Sequence, residues 1–426
     1  MRSQGDPLKY TAIDRCRICG NHRLEPILSL GEQHLTGVFP RTREQVVTRG
    51  PLELVKCHSD APDARSCGLV QLRHSYAADE IYGEGYGYRS GLNQSMVSHL
   101  ASTVANLRRR TCLSAGDLVL DIGSNDGTLL SCYPPDLTRV GMDPTAAKFR
   151  AYYPPGSEVM PEFFSAARFI DRFGERKAKI VTSIAMFYDL ESPLFFAEQV
   201  AAILHDEGVW HFEQSHMPSM LAANAYDTIC HEHLEYYGLS QILWVIERCG
   251  LKIVDVSLND INGGSFAVTA AKAGSKAAVN IETIERLTEQ EERDELSSLA
   301  TYCEFRRRVF KHRDELRDRL AGLSRQGAKI LGYGASTKGN VILQFCGITA
   351  AEIACIADIN ADKFGSFTPG TGIPIVSEAE AHAMQPDYLL VLPWHFRRNL
   401  LERERAFLSR GGRMIFPLPC IEIVGR

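Results

Sequence analysis

The stretch Tyr226-Asp227-Thr228-Ile229-Cys230-His231-Glu232-His233-Leu234-Glu235-Tyr236-Tyr237 sets two imidazoles on either side of a carboxylate. That pattern suits proton abstraction. An imidazole titrating near neutrality can remove a proton, and an adjoining carboxylate can set its tautomer and steady the imidazolium. A zinc-protease helix needs His-Glu-x-x-His, which puts both rings on one helical face; the spacing of two found here does not. His233, Glu232 and His231 are therefore read as candidate catalytic groups rather than metal ligands.

A second stretch, Leu118-Val119-Leu120-Asp121-Ile122-Gly123-Ser124-Asn125-Asp126-Gly127, reads as an apolar strand running into a glycine turn. Gly123 lets the backbone approach a ligand closely, and amides at such a turn favour an anionic group. Asp143 ends the next strand, placed to accept both hydroxyls of a ribose. Together they predict S-adenosylmethionine, held by Asp121, Gly123, Ser124, Asn125 and Asp143. Phe163 and Phe164 are candidates for an adenine face, and Met186, in Ala185-Met186-Phe187-Tyr188, for the methionine end.

Cys16-Arg17-Ile18-Cys19 is followed by Cys57 and Cys67. Two thiolates two residues apart clamp one side of a tetrahedral zinc ion, and a distant second pair closes a structural site. The remaining cysteines are scattered and, Cys230 apart, read as core thiols. Farther on, Gly332-Tyr333-Gly334-Ala335-Ser336-Thr337-Lys338-Gly339-Asn340 follows a strand and opens a helix. Its amides and Lys338 could cradle a pyrophosphate. The third glycine falls two places late for the dinucleotide fingerprint, although Asp358 at the end of the next strand keeps that reading open.

The ordered combination of the cysteine module, Asp121 to Gly127, Thr228 to Leu234 and Gly332-Tyr333-Gly334-Ala335 resembles the zinc-containing sugar C-methyltransferase family, over nearly the whole chain. The resemblance implies methylation of carbon-3 of a nucleotide-linked 4-keto-deoxy-sugar, for an antibiotic or a surface polysaccharide. It implies that His233 is the base with Glu232 beside it, and that a tyrosine of the Tyr82-Gly83-Glu84-Gly85-Tyr86-Gly87-Tyr88-Arg89 loop, taken as Tyr88, reaches the active site. Tyr82 and Tyr86 are then substrate contacts. It also implies that the last domain holds the nucleotide through Tyr333, Ser336, Thr337, Lys338, Asn340 and Asp358, with Phe367 to Thr371 and Pro393 to Phe396 completing the pocket.

The chain departs from the family at Cys230, where the family has Tyr, and at Tyr188, where some members have His. Asn262 also replaces a His and His395 an Asn. These exchanges leave the base in place but change the polar groups around the sugar. Cys230 and Asn262 become candidate substrate contacts, and Tyr188 a candidate to take over a missing role.

The chemistry explains why such groups are needed. Methylation at carbon requires a carbanion-like nucleophile, and a ketone acidifies the neighbouring C–H. His233 would take the carbon-3 proton while a donor stabilises the enolate oxygen, a contact worth roughly 3 to 4 kcal/mol.

The elements that must position these groups follow from length and pattern. A chain of 426 residues is too long for one core. A helical pattern over Ser90 to Arg110 precedes the first strand, and strands at Arg139 to Asp143, Ala178 to Ile184, Gly208 to Glu213, Leu251 to Leu258 and Ser265 to Ala271 predict an α/β sheet. We expect a zinc-binding module (1–75), a central class I methyltransferase Rossmann-like domain (76–275), and a helical bridge with a second Rossmann-like α/β domain (276–426).

The net charge of −5 gives no electrostatic case for nucleic acid. No apolar run is long enough for a membrane helix and the first residues lack a secretory core, so a cytoplasmic protein is expected. No heptad pattern or long exposed apolar stripe asks for a partner, and a monomer is expected. Two rival readings are an NADPH-dependent keto-sugar reductase and a zinc-stapled binding protein built on a vestigial cofactor fold.

Overall fold

A computed structural model describes residues 9–59, 66–81 and 88–425; Tyr82 and Tyr86 lie outside them. The strand Leu118–Ile122 shows no alternation of polar and apolar residues because both its faces are covered. Leu118, Leu120 and Ile122 enter one apolar cluster with Val181 and Trp210, while Val119 enters another with Leu100, Val104 and Leu107 of the helix Gln94–Arg110. A parallel strand buried on both faces demands this composition.

Around it lies a seven-stranded sheet in the order Leu251–Asn259, Ser265–Lys272, Leu204–Ser215, Ala178–Ile184, Leu118–Ile122, Thr138–Met142, Glu158–Met160. Only Ser265–Lys272 runs antiparallel to its neighbours. The chain order reverses beside Leu118–Ile122, so a crevice opens at the carboxyl ends of three parallel strands.

The helical bridge forms two helices, Ile281–Arg293 and Leu299–Arg325. The second buries Tyr302, Phe305, Val309, Leu316, Leu320 and Leu323, the spacing of one helical face. It packs on the strand Leu24–His34 and shares a core with the last domain, tying the first module to it. That last domain has six strands in the order Ile375–Ser377, Ile356–Asp358, Ile330–Tyr333, Tyr388–Val391, Arg413–Phe416, Glu422–Val424, parallel except for the final one.

The amino-terminal module is an antiparallel sheet of Leu24–His34, Arg49–Cys57 and Val70–Leu72. Its fourth strand is Glu235–Tyr236, which pairs with Val70–Leu72 in the register Glu235 to Gln71. The segment after His233 is thus held by the cysteine module. Among the described residues, no helix is long and apolar enough to cross a membrane.

Candidate functional site

In the crevice, Gly123 takes φ +74°, and a Cβ there would lie 3.1 Å from Met186 Cγ. A side chain would therefore fill the space the turn leaves open. Asp143 Oδ2 accepts the Asn125 amide at 2.9 Å, and Oδ1 accepts the Thr145 amide and hydroxyl, both at 2.6 Å. Asp121 accepts the Thr182 hydroxyl at 2.6 Å, and burial pushes its carboxyl up to about 7. Asp121, Gly123, Asn125, Asp143, Phe163, Phe164, Met186 and Tyr88 all line one cavity.

This lining fits S-adenosylmethionine: two acidic groups, aromatic walls, and a glycine turn with no side chain in the way. Asn125 plays a different part from a direct ligand. Its side chain donates to Tyr88 O and accepts from the Ser90 amide, both at 3.0 Å, strapping the segment that follows the tyrosine-rich loop across the cavity mouth. Ser124 also lines the cavity, its hydroxyl bonded to the Tyr153 phenol at 2.7 Å.

The four module cysteines gather as expected from their spacing, with all four sulfurs within 4.8 Å of one another. Cys16 and Cys67 are 3.5 Å apart and Cys19 and Cys57 3.4 Å apart. These separations are far longer than a disulfide bond and suit a tetrahedron with Zn–S near ~2.3 Å. Between the first two ligands, Arg17 donates to Leu72 O at 2.6 Å and lies 3.6 Å from Glu235, both side chains being fully buried. Arg17→Ala is expected to lower the unfolding free energy by about 1 to 3 kcal/mol, since it leaves the buried Leu72 carbonyl without its donor. Urea unfolding of the purified variant measures this.

The catalytic stretch turns between the two larger domains. His233 Nδ1 lies 2.8 Å from Thr228 O; a carbonyl only accepts, so Nδ1 carries the proton and Nε2 keeps its lone pair. Burial, together with the Lys338 charge, pushes this imidazole down to about 3. Tyr188 packs edge-on against the ring at 4.4 Å, and its carbonyl accepts the Leu234 amide at 2.8 Å. A Glu232 oxygen and the Cys230 sulfur lie within 4.8 Å of a His233 ring nitrogen.

Two expectations change here. Thr228, not Glu232, orients His233. Glu232 instead faces Gly37, where any side chain would collide with its carboxyl, and lies beside Thr337; burial raises it to about 7. His231 is not brought to the site at all. A turn at His231 and Glu232, closed by the His233 amide on Cys230 O at 3.2 Å, leaves its ring edge-on to Tyr76 at 4.6 Å and beside the backbone of Gln33 and Gly50.

The last domain contributes differently from a phosphate cradle. Lys338 Nζ leaves the glycine turn and donates to Asn262 O of the central domain at 2.6 Å. Asn262 acts through that carbonyl, its backbone held at φ +54°. Tyr333 points to the far face of its sheet and bonds Glu378 at 2.7 Å, as period-two alternation requires. Ser336 is the helix N-cap, accepting the Gly339 amide at 3.0 Å. Asn340 donates to Thr36 O at 2.8 Å, and both Asp358 oxygens are taken by the amides of Ala335 and Asn360. The loop from Phe367 to Thr371 docks on the first module, the Phe367 amide bonding Pro40 O at 2.8 Å.

The Pro393 to Phe396 element stands beside the histidine stretch: Asp227, wholly buried, accepts Trp394 Nε1 at 2.8 Å, and His395 lies over Gly263. Asp227 had no role assigned from sequence, its signal being only an acidic residue opening the histidine stretch.

Three family models match successive stretches of the chain. A model of a candidate zinc binding domain matches residues 16–82, one of a methyltransferase domain residues 96–256, and one of a C-methyltransferase C-terminal domain residues 260–419. The C-methyltransferase NovU of Streptomyces niveus is 32% identical over 413 residues, 96% of each chain. Solved structures match less of the chain. A complex of the Haloferax volcanii Trm112 methyltransferase activator and a candidate methyltransferase is 14% identical, covering 42% of this chain and 93% of that one, with a TM-score of 0.35. The CcbJ methyltransferase of Streptomyces caelestis is 13% identical, covering 44% and 99%, with a TM-score of 0.33. Neither carries weight beside the full-length relative.

Proposed function

The chain belongs to the S-adenosylmethionine-dependent C-methyltransferases, and from that premise we propose that it methylates carbon-3 of a nucleoside-diphosphate 4-keto-6-deoxy-sugar through a base-generated enolate. The observation that carries this reading is His233, with Nδ1 tied to Thr228 O and Nε2 free, in a loop between the cofactor sheet and the last domain. When bound, S-adenosylmethionine supplies an electrophilic methyl group. Asp143 would hold its ribose hydroxyls, Asp121 its ammonium group, and Phe163 and Phe164 its adenine.

A buried neutral imidazole is unprotonated throughout the neutral range, so His233 Nε2 is available to take the carbon-3 proton. The neighbouring ketone receives the electron pair. Tyr188 packs on the ring and, with the Thr228 carbonyl, fixes its orientation. The Asn125 strap keeps Tyr88 at the cavity wall, where it shields the reacting groups from water. The cysteine module takes no part in the chemistry; a zinc ion held by Cys16, Cys19, Cys57 and Cys67 would fix the strand that follows His233.

Thymidine diphosphate-4-keto-6-deoxyglucose, incubated with S-adenosylmethionine or with NADPH, tests the reading. A product heavier by one methylene with the first cofactor supports it. Consumption of NADPH without a methylated product overturns it in favour of a reductase.

Glu232 sets a pH dependence. Its folded pKa is raised above the ordinary carboxylate value, so its contribution to stability is present below that value and is lost as pH rises through about 7. Glu232→Gln should therefore melt higher than the parent at pH 8 and show little difference at pH 5. Paired melting curves at the two pH values measure this.

A further inference from the structure

We propose that Lys338, supplied by the last domain, is the catalytic cation that stabilises the enolate oxygen formed in the central domain. The inference rests on the carbon-methylation reading above and names a group that reading leaves open.

The geometry comes from three turns. Lys338 is the second residue of the helix Thr337–Cys346, which packs on the Tyr226–Thr228 turn that opens the histidine stretch. Its ammonium donates to Asn262 O at 2.6 Å. The receiving carbonyl sits in a turn where Asn262, Gly263 and Gly264 take φ of +54°, +91° and +120°, a backbone path that ordinary side chains rarely adopt. Next to Lys338, Thr337 lies beside Glu232 at Gly37.

An ammonium has three donors. One is fixed on Asn262, which leaves two for a ligand. Its charged and titratable neighbours are Asp227, Cys230, His233 and His395. Asp227 gives one oxygen to Trp394 and leaves Oδ1 without a hydrogen-bond partner, and His395 Nδ1 is likewise unpaired although buried. Unsatisfied buried polar atoms around a cation mark a place where a polar ligand completes the network. Burial lowers the ammonium's proton affinity, and Asp227 partly offsets that shift.

The step balances without a further reactant. The carbon-3 proton passes to His233 Nε2, the C–H pair becomes the C-3 to C-4 double bond, and the carbonyl π pair moves onto the carbon-4 oxygen. Lys338 donates a hydrogen bond to that oxyanion and keeps its own proton. The same charge keeps His233 unprotonated until it is needed.

The test is deuterium exchange at carbon-3 of thymidine diphosphate-4-keto-6-deoxyglucose in D2O, followed by proton NMR. We expect Lys338→Met to slow exchange by roughly 10²- to 10³-fold, as loss of one preorganised oxyanion donor does. Binding of S-adenosylmethionine and of thymidine diphosphate should be unchanged. Lys338→Arg, which keeps the charge, should recover part of the rate. Removing the cation should also move the acid limb of exchange by His233 to higher pH, a shift that a purely structural role would not produce.

Exchange at the parental rate in Lys338→Met overturns the assignment alone. Should Lys338→Met fail to fold, Lys338→Gln takes its place, and an unchanged rate with an unchanged acid limb overturns the assignment equally. Parental protein that shows no exchange overturns both the enolate reading and the role of Lys338.

Discussion

His233→Ala is expected to bind S-adenosylmethionine as the parent does while losing roughly 10²- to 10⁴-fold in methyl transfer, the range set by a positioned general base. The two effects separate because the groups stand on different elements. The cofactor cavity is built on the turn after Leu118–Ile122 and on Asp143, whereas His233 lies on the stretch between the Tyr226–Thr228 turn and the strand Glu235–Tyr236. Solvent exchange of the carbon-3 hydrogen should vanish with the rate. Calorimetry with S-adenosylmethionine and an NMR exchange assay on one protein sample separate the cases. Exchange at the parental rate would remove His233 as the base.

Loss of a zinc ion from the four module cysteines is expected to cost nearly all activity, although these cysteines lie outside the proposed reaction. Cys57 ends a strand paired with Val70–Leu72, and that strand in turn pairs with Glu235–Tyr236. The Leu72 amide also donates to Leu234 O at 2.8 Å, one residue from His233. A structural zinc site contributes folding free energy directly, on the order of 10 kcal/mol in small modules. Cys57→Ser should therefore lose the metal, unfold at lower denaturant concentration and drop methyl transfer far more than cofactor affinity. Metal analysis beside activity and calorimetry measures all three; a metal-free variant with parental activity would contradict the coupling.

How much of this was legible in the sequence depends on the range of the contacts involved. The apolar run Leu118 to Ile122 and the paired acid Asp143 are local patterns, and both stand where their types predict. The cysteine cluster was equally legible, because knuckle spacing is local and a tetrahedral ion accepts few alternatives. The strand Glu235–Tyr236 was not: two residues carry no periodicity, and their pairing with Val70–Leu72 spans more than half the central domain.

Lys338 illustrates a different limit. Its place after a glycine turn suggests a phosphate, yet a long flexible side chain at a helix start can reach into a neighbouring domain, here to Asn262. Tyr333 and His231 were misread for a simpler reason. Alternation along extended backbone assigns Tyr333 to the face with Leu331 and Phe416, whereas a turn at His231 and Glu232 carries the His231 ring to Tyr76. Ser336 and Asp358 carry groups that would suit a ligand, but each is consumed in holding its own turn.

The most direct measurement follows a labelled methyl group. The parent protein is incubated with thymidine diphosphate-4-keto-6-deoxyglucose and S-adenosylmethionine carrying ¹³C in the transferred methyl, and the product is examined by carbon-proton correlation NMR. A new methyl bonded to carbon-3 of the sugar is the expected result. A label on oxygen, or on carbon-5 across the same ketone, would contradict the assigned position, and no label on the sugar would contradict the proposed substrate.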